Sequence, residues 1–110
     1  MTVNSVCERL DLEVLNLADG EREVLGVYAG DLLSWVMGHA KESNVLVTIM
    51  SNINTLAVAS LLDLSCVILA ESAEPDPGFI ETAQSKEINV FRSKNTTYEL
   101  CASLSRMLEG

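Results

Sequence analysis

The chain has 110 residues, and its 16 acidic against 7 basic side chains leave a formal net charge of −9 at pH 7. That length suits one hydrophobic core rather than two, and 48% hydrophobic residues exclude a disordered chain. The acidic balance argues against nucleic acid and anionic membranes as partners, because both require a basic footprint.

Taken in order, Thr2 or Asn4 is placed to cap a short first helix in which Val3, Val6, Cys7 and Leu10 recur at helical spacing. Leu12-Glu13-Val14-Leu15 reads as a short strand, and residues 16–21 as a polar turn. Val24–Tyr28 predicts a second strand, Ala29-Gly30 a break and Asp31 an N-cap. The helix that follows carries Leu32, Leu33, Val36, Met37 and Ala40 along one face. Val45–Met50 is a continuous, β-branched apolar run, the pattern of a strand buried on both faces of a parallel sheet. Ser51-Asn52-Ile53-Asn54 turns into a helix over Thr55–Leu62 that is apolar nearly all round. Cys66–Ala70 is another buried strand. Asp76 with Pro77 at the first helical position opens a helix containing Phe79, Ile80 and Ala83. Ile88–Phe91 predicts a last strand. Thr96 and Glu99 then form a capping box ahead of Leu100, Cys101, Leu104, Met107 and Leu108. From Val24 the order is βαβαβαβα, which specifies a three-layer α/β/α sandwich around a mainly parallel sheet of four or five strands, in one domain.

Cys7, Cys66 and Cys101 are odd in number, dispersed and set in apolar surroundings. They read as free, buried thiols, with neither a disulfide framework nor a zinc site. Residues 1–9 lack the pattern of a signal peptide, and no apolar stretch approaches the roughly 20 residues of a membrane helix. The expected location is cytoplasmic.

Gly26–Gly38, Ile49-Met50-Ser51-Asn52-Ile53-Asn54, Val67-Ile68-Leu69-Ala70-Glu71 and Thr97-Tyr98-Glu99-Leu100 together resemble, in order and over essentially the whole chain, small stand-alone DRTGG-domain proteins of bacteria. Where that family's Asp-Arg-Thr falls, this chain has Asp31-Leu32-Leu33; where its Gly-Gly follows a strand, it has Glu71-Ser72. Relatives are fused to phosphotransacetylases and CBS-domain pyrophosphatases, and the N-terminal domain of HPr kinase/phosphorylase is similar. The resemblance therefore implies a regulatory or assembly module whose catalysis resides in other domains.

The residues agree that no kinase is present. Phosphoryl transfer needs a phosphate cradle such as Gly-x-x-x-x-Gly-Lys-Ser/Thr with metal-holding acids. The chain has no such run, and no Lys or Arg between Arg22 and Lys41 or between Lys41 and Lys86. The single histidine, His39, reads as a surface or interface residue. No catalytic residue, metal site or cofactor is assigned. Glu71, Glu74 and Asp76 offer oxygens to a cation, or simply favour a helix N-terminus.

The loop Ser51–Thr55 is the best ligand candidate, because open α/β sheets place their sites at the carboxyl ends of strands and ahead of helix N-termini. Ser51, Asn52, Asn54 and Thr55 suit a phosphate or a base, unless Asn54 or Ser51 only caps the helix. Gly30, Asp31, Arg92 and Lys94 emerge on the same edge, and the two cations point to a nucleotide-like anion. The alternative is an adaptor for a protein partner, such as a redox enzyme complex or a signalling kinase. The high apolar content predicts a homodimer. Its interface is expected on Leu56, Ala59 and Ser60, with Trp35 either joining it or packing beneath the N-terminal segment.

Overall fold

A computed structural model describes residues 1–110. In chain order the elements are α1 (Val3–Arg9), β1 (Glu13–Asn16), β2 (Gly26–Ala29), α2 (Leu33–His39), β3 (Asn44–Thr48), α3 (Ile53–Leu61), β4 (Cys66–Leu69), α4 (Phe79–Lys86), β5 (Val90–Arg92) and α5 (Thr97–Glu109). The sheet has five strands in the order β1-β5-β4-β3-β2. The four strands from β2 on are parallel, and β1 closes one margin antiparallel to β5.

Side-chain alternation along the strands builds two cores. Val45, Val47, Cys66, Ile68 and Phe91 meet Val3 and Val6 of α1 and Leu100, Leu104 and Met107 of α5. Leu46, Val67, Leu69 and Val90 point the other way, onto Val36 of α2, Leu56 and Ala59 of α3 and Phe79 and Ala83 of α4. Both faces of β3 and β4 are therefore dry, which is why their sequences read as unbroken apolar runs. The result is the expected three-layer α/β/α sandwich.

Several local expectations shift. β1 and β2 each begin later than the sequence pattern suggests, at Glu13 and Gly26. Helix α2 buries only Val36 within it and Ala40 at its end, while Leu32 and Met37 are exposed. It is also not capped by Asp31. Leu32 stands at the N-cap without a side-chain bond, and the Asp31 carboxylate crosses to the end of β3. Helix α3 begins at Ile53, capped by Asn52, whose Oδ1 accepts from Asn54 N–H; neither Ser51 nor Asn54 caps it. Asp76 and Pro77 do not open α4 either. The helix starts at Phe79 after Gly78, whose φ of 87° lies in the left-handed region that favours glycine. The capping boxes at Thr2/Ser5 and Thr96/Glu99 are both formed.

Candidate functional site

The carboxyl ends of the parallel strands gather most of the sequence-predicted site residues, in two groups. The first joins the loops after β2 and β3. Gly30 N–H donates to Val47 O at 3.1 Å. The same glycine lets the chain pass Tyr28, whose ring would stand 3.2 Å from an added Cβ. Asp31 Oδ1 accepts from Thr48 Oγ1 and from Ile49 N–H, both at 2.9 Å. Thr55 is buried, its hydroxyl donating to Met50 O at 2.8 Å. Ser51 Oγ donates to Asp76 Oδ1 at 3.3 Å, and Asp76 N–H returns a bond to Ser51 O. Asp31 and Ser51 thus fasten neighbouring loops to one another, while Asn52 and Thr55 brace the loop that carries them. The exposed side chain of Asn54 makes no hydrogen bond within the chain.

The second group lies across β4, around β5 and the loop into α5. Arg92 Nη2 donates to Ser72 O and to Glu74 Oε1, each at 2.7 Å, and Nη1 lies 3.8 Å from Glu13 Oε1. Its Nε is buried without a partner. Arg92 is therefore a fixed, neutralised cross-link between three segments, not the free cation expected. Lys94 is exposed and makes no ion pair. A cavity of about 380 Å³ opens here, lined among others by Ser72, Arg92, Ser93, Lys94 and Asn95 and by the carboxylate residues Asp11 and Glu13. Because β4 separates β3 from β5, Arg92 and Lys94 share an edge with Ser51–Thr55 but not a cavity.

The loop between the groups is held in an unusual backbone conformation. Glu71 and Ser72 have φ of 58° and 59°, and their N–H groups donate to Asn95 O and Ser93 O, both at 2.8 Å. Glu71 Oε2 accepts from Thr97 N–H and Oγ1 at 3.4 Å. At the start of α5, the backbone N–H and then the hydroxyl of Thr96 hold the Glu99 carboxyl below its ordinary range. Glu71, Glu74 and Asp76 face Thr97, Arg92 and Ser51 respectively, so they do not converge on one point.

On the outer side of α2, Trp35 is 59% exposed and stacks on His39 with ring centroids 4.3 Å apart. It does not pack under the N-terminal segment. Leu56 and Ala59 lie in the chain's own core. The surface of α3 is instead Ile53, Ala57, Ser60 and Leu61, so a docking face on this helix involves those residues and not Leu56 or Ala59. Sequence reasoning missed the carboxylate partners of Arg92, which come from β1 and the loop after β4. It also missed Asn89, a polar residue inside an apolar strand run and therefore a visible anomaly.

A five-stranded, mainly parallel sheet covered by helices on both faces, with loops cross-tied at its carboxyl end, makes this a three-layer α/β domain. Residues 36–108 match the family described as HPr Serine kinase N terminus, and the chain belongs to that family. Among solved structures, it is similar to the CBS and DRTGG domains of the regulatory region of Clostridium perfringens pyrophosphatase, complexed with the activator diadenosine tetraphosphate. The TM-score is 0.68 at 16% identity, over 97% of this chain and 45% of that one. The chain thus spans less than half of that solved chain. No curated protein matches it.

Proposed function

We propose that the chain is a non-catalytic regulatory module that senses a nucleotide-like anion at the carboxyl end of its sheet and acts as a homodimer in the cytoplasm. The observation that carries this reading is the cleft beside β5, where Lys94 is an unpaired cation next to Ser72, Ser93 and Asn95. Arg92 forms the rigid wall of that cleft, and the loop bearing Asp31, Ser51, Asn52, Asn54 and Thr55 borders the same edge. The structural relative's complex with a nucleotide activator supports the ligand class. No helix is long and apolar enough to cross a membrane.

A second reading, an adaptor for a protein partner with no small ligand, is favoured by the exposed Leu32, Trp35, Ile53 and Leu61 on α2 and α3. Calorimetric titration separates the two, using adenine mononucleotides and dinucleoside polyphosphates against wild type and Lys94→Glu. The sensing reading expects saturable binding that is lost on Lys94→Glu, while the unliganded stability stays within about ±0.5 kcal/mol. Absence of binding at millimolar nucleotide, or binding that survives the charge reversal, overturns it. Reversal of Arg92 is not a clean test, because it breaks the contacts to Glu13, Ser72 and Glu74.

A further inference from the structure

The two margins of the sheet are finished in different ways. At β1 an exposed Glu13 lies in the strand and Asp11 just ahead of it, and the ladder to β5 shifts register between Val14 and Asn16. Charge and irregularity on an outer strand are usual devices for refusing a further strand. β2 has neither. Gly26-Val27-Tyr28-Ala29 carries no charge and no proline, and runs in unbroken register with β3. Just before it, Val24 N–H donates to Met1 O while Leu25 N–H donates to Ser43 O on the β3 side. Within β2 the Gly30 N–H on Val47 O and the parallel register put the backbone groups of Gly26 and Tyr28 on β3, so those of Val27 and Ala29 face the open margin.

Both helical layers leave apolar surface beside that margin. On one face, a cavity of about 480 Å³ lies between Val27 and Ala29 of β2 and Cys101, Ser105 and Leu108 of α5, with Glu109 as its only charged liner. On the other face α2 ends its layer, since α3 contacts both α2 and α4. The right-handed crossover of a parallel connection turns the stripe of Leu32, Trp35 and His39 away from α3 and toward the β2 margin. Between Leu32 and Ala40 there is no Asp, Glu, Lys or Arg.

We propose that a second copy of this chain docks at the β2 margin, the two β2 strands pairing antiparallel about a two-fold axis near Val27 so that two five-stranded sheets become one. This rests on the dimer reading above and moves its interface from α3 to β2, α2 and α5. The occupant follows from charge. Two molecules of net charge −9 meet without repulsion only across neutral surface, and this margin supplies it on the strand and on α2. With the axis at Val27, Gly26 stands opposite Tyr28 of the partner subunit. The two Val27 residues face outward and exchange both backbone hydrogen bonds across the axis. The α2 stripes then close over one face of the junction, and the α5 flanks over the other.

Sedimentation and light scattering at tens of micromolar protein test this, with circular dichroism reporting the fold of each variant. The expected wild-type mass is twice 11.9 kDa. Val27→Pro removes only an outward N–H, and Trp35→Glu charges the margin; each is expected to give a monomer, whereas Leu61→Glu on exposed α3 stays dimeric. Two Val27 residues facing across the axis are a hydrogen-bonded pair with Cα atoms about 5.5 Å apart, within disulfide reach. Oxidised Val27→Cys in a Cys101→Ser background is therefore expected to form a covalent dimer. A monomeric wild type removes the dimer reading and this inference with it. A dimeric wild type whose folded Trp35→Glu and Val27→Pro variants stay dimeric, or whose Val27→Cys variant does not cross-link, overturns the β2 geometry alone.

Discussion

At the amino end of the sheet, the loops are tied by one buried amide. Asn89 Oδ1 accepts from Ala18 and Asp19 N–H at 2.8 Å, and its Nδ2 donates to Asp19 O at 2.9 Å and Ser65 O at 3.1 Å. Beside it Arg22 reaches Asp63 at 3.0 Å and Ser43, and its hydrogen bond and charge hold the Asp63 carboxyl below its ordinary range. At the carboxyl end Thr48 and Thr55 are buried, but most of the ties are partly exposed and shared among several polar side chains. A buried group with all its bonds made is costly to remove, because its former partners are stranded away from water. Exposed groups can exchange partners with solvent or a ligand at little cost. The amino end therefore holds the fold, and the carboxyl end is where sequence can vary and a ligand can compete.

The largest effect that tests this contrast is expected at Asn89. Asn89→Ala strands two amide N–H groups and two carbonyls at a site only 4% exposed. It is expected to cost about 2–4 kcal/mol, read as a lower urea midpoint with unchanged slope. A loss below about 1 kcal/mol would mean that water replaces the amide, and the two ends would then be alike.

Cys66 opens β4 at the same amino end. Burial, reinforced by the neighbouring Cys7 sulfur, pushes its thiol from 9.0 up to about 12. The folded chain then binds more protons than the unfolded one between these values. Stability is complete below about pH 9 and falls as pH rises toward 12, by up to about 1.4 kcal/mol per pH unit. Burial also raises Cys7 and Cys101. Urea midpoints between pH 8 and 10.5 should fall more steeply in wild type than in Cys66→Ala; equal slopes would place the alkaline transition elsewhere.

What the sequence made legible was whatever depends on neighbours in the chain. The runs at Val45–Met50 and Cys66–Ala70 announced strands buried on both faces, and Thr96 with Glu99 announced a helix start. The failures that divide the site wrongly are long-range. Asp31 has the local pattern of an N-cap, yet Thr48 and Ile49 take its carboxylate, because β3 lies beside β2. Arg92 looked free because Glu13 and Glu74 are remote in sequence and adjacent only once β1 pairs with β5. Leu56 and Ala59 looked available for a partner because an apolar helix does not announce which side the sheet takes. The candidate site was accordingly placed at the right end of the sheet but divided wrongly among its residues.

The smallest effect concerns the positions where this chain carries Glu71-Ser72 in place of the Gly-Gly to which it is compared. Both residues sit in the left-handed region, at φ 58° and 59°, which costs an L-residue on the order of 1 kcal/mol relative to glycine. At Glu71 the side chain offsets part of this by reaching Thr97 at 3.4 Å. Ser72 has no such contact. It is exposed, and its bonds run through its N–H to Ser93 and its carbonyl to Arg92, which any residue retains. Ser72→Gly is therefore the clean substitution. The relieved strain, less roughly 0.5 kcal/mol for the added freedom of the unfolded chain, predicts a gain of about 0.5 kcal/mol. Ser72→Val, with a branched side chain in the same conformation, should lose about 1 kcal/mol or more. Melting temperatures in the order Gly above Ser above Val would show that backbone conformation, not side-chain burial, sets the cost at the carboxyl end. A Ser72→Gly variant less stable than wild type would mean that the hydroxyl is held there by a contact as specific as those of Asn89, and the distinction between the two ends would fail at its weakest point.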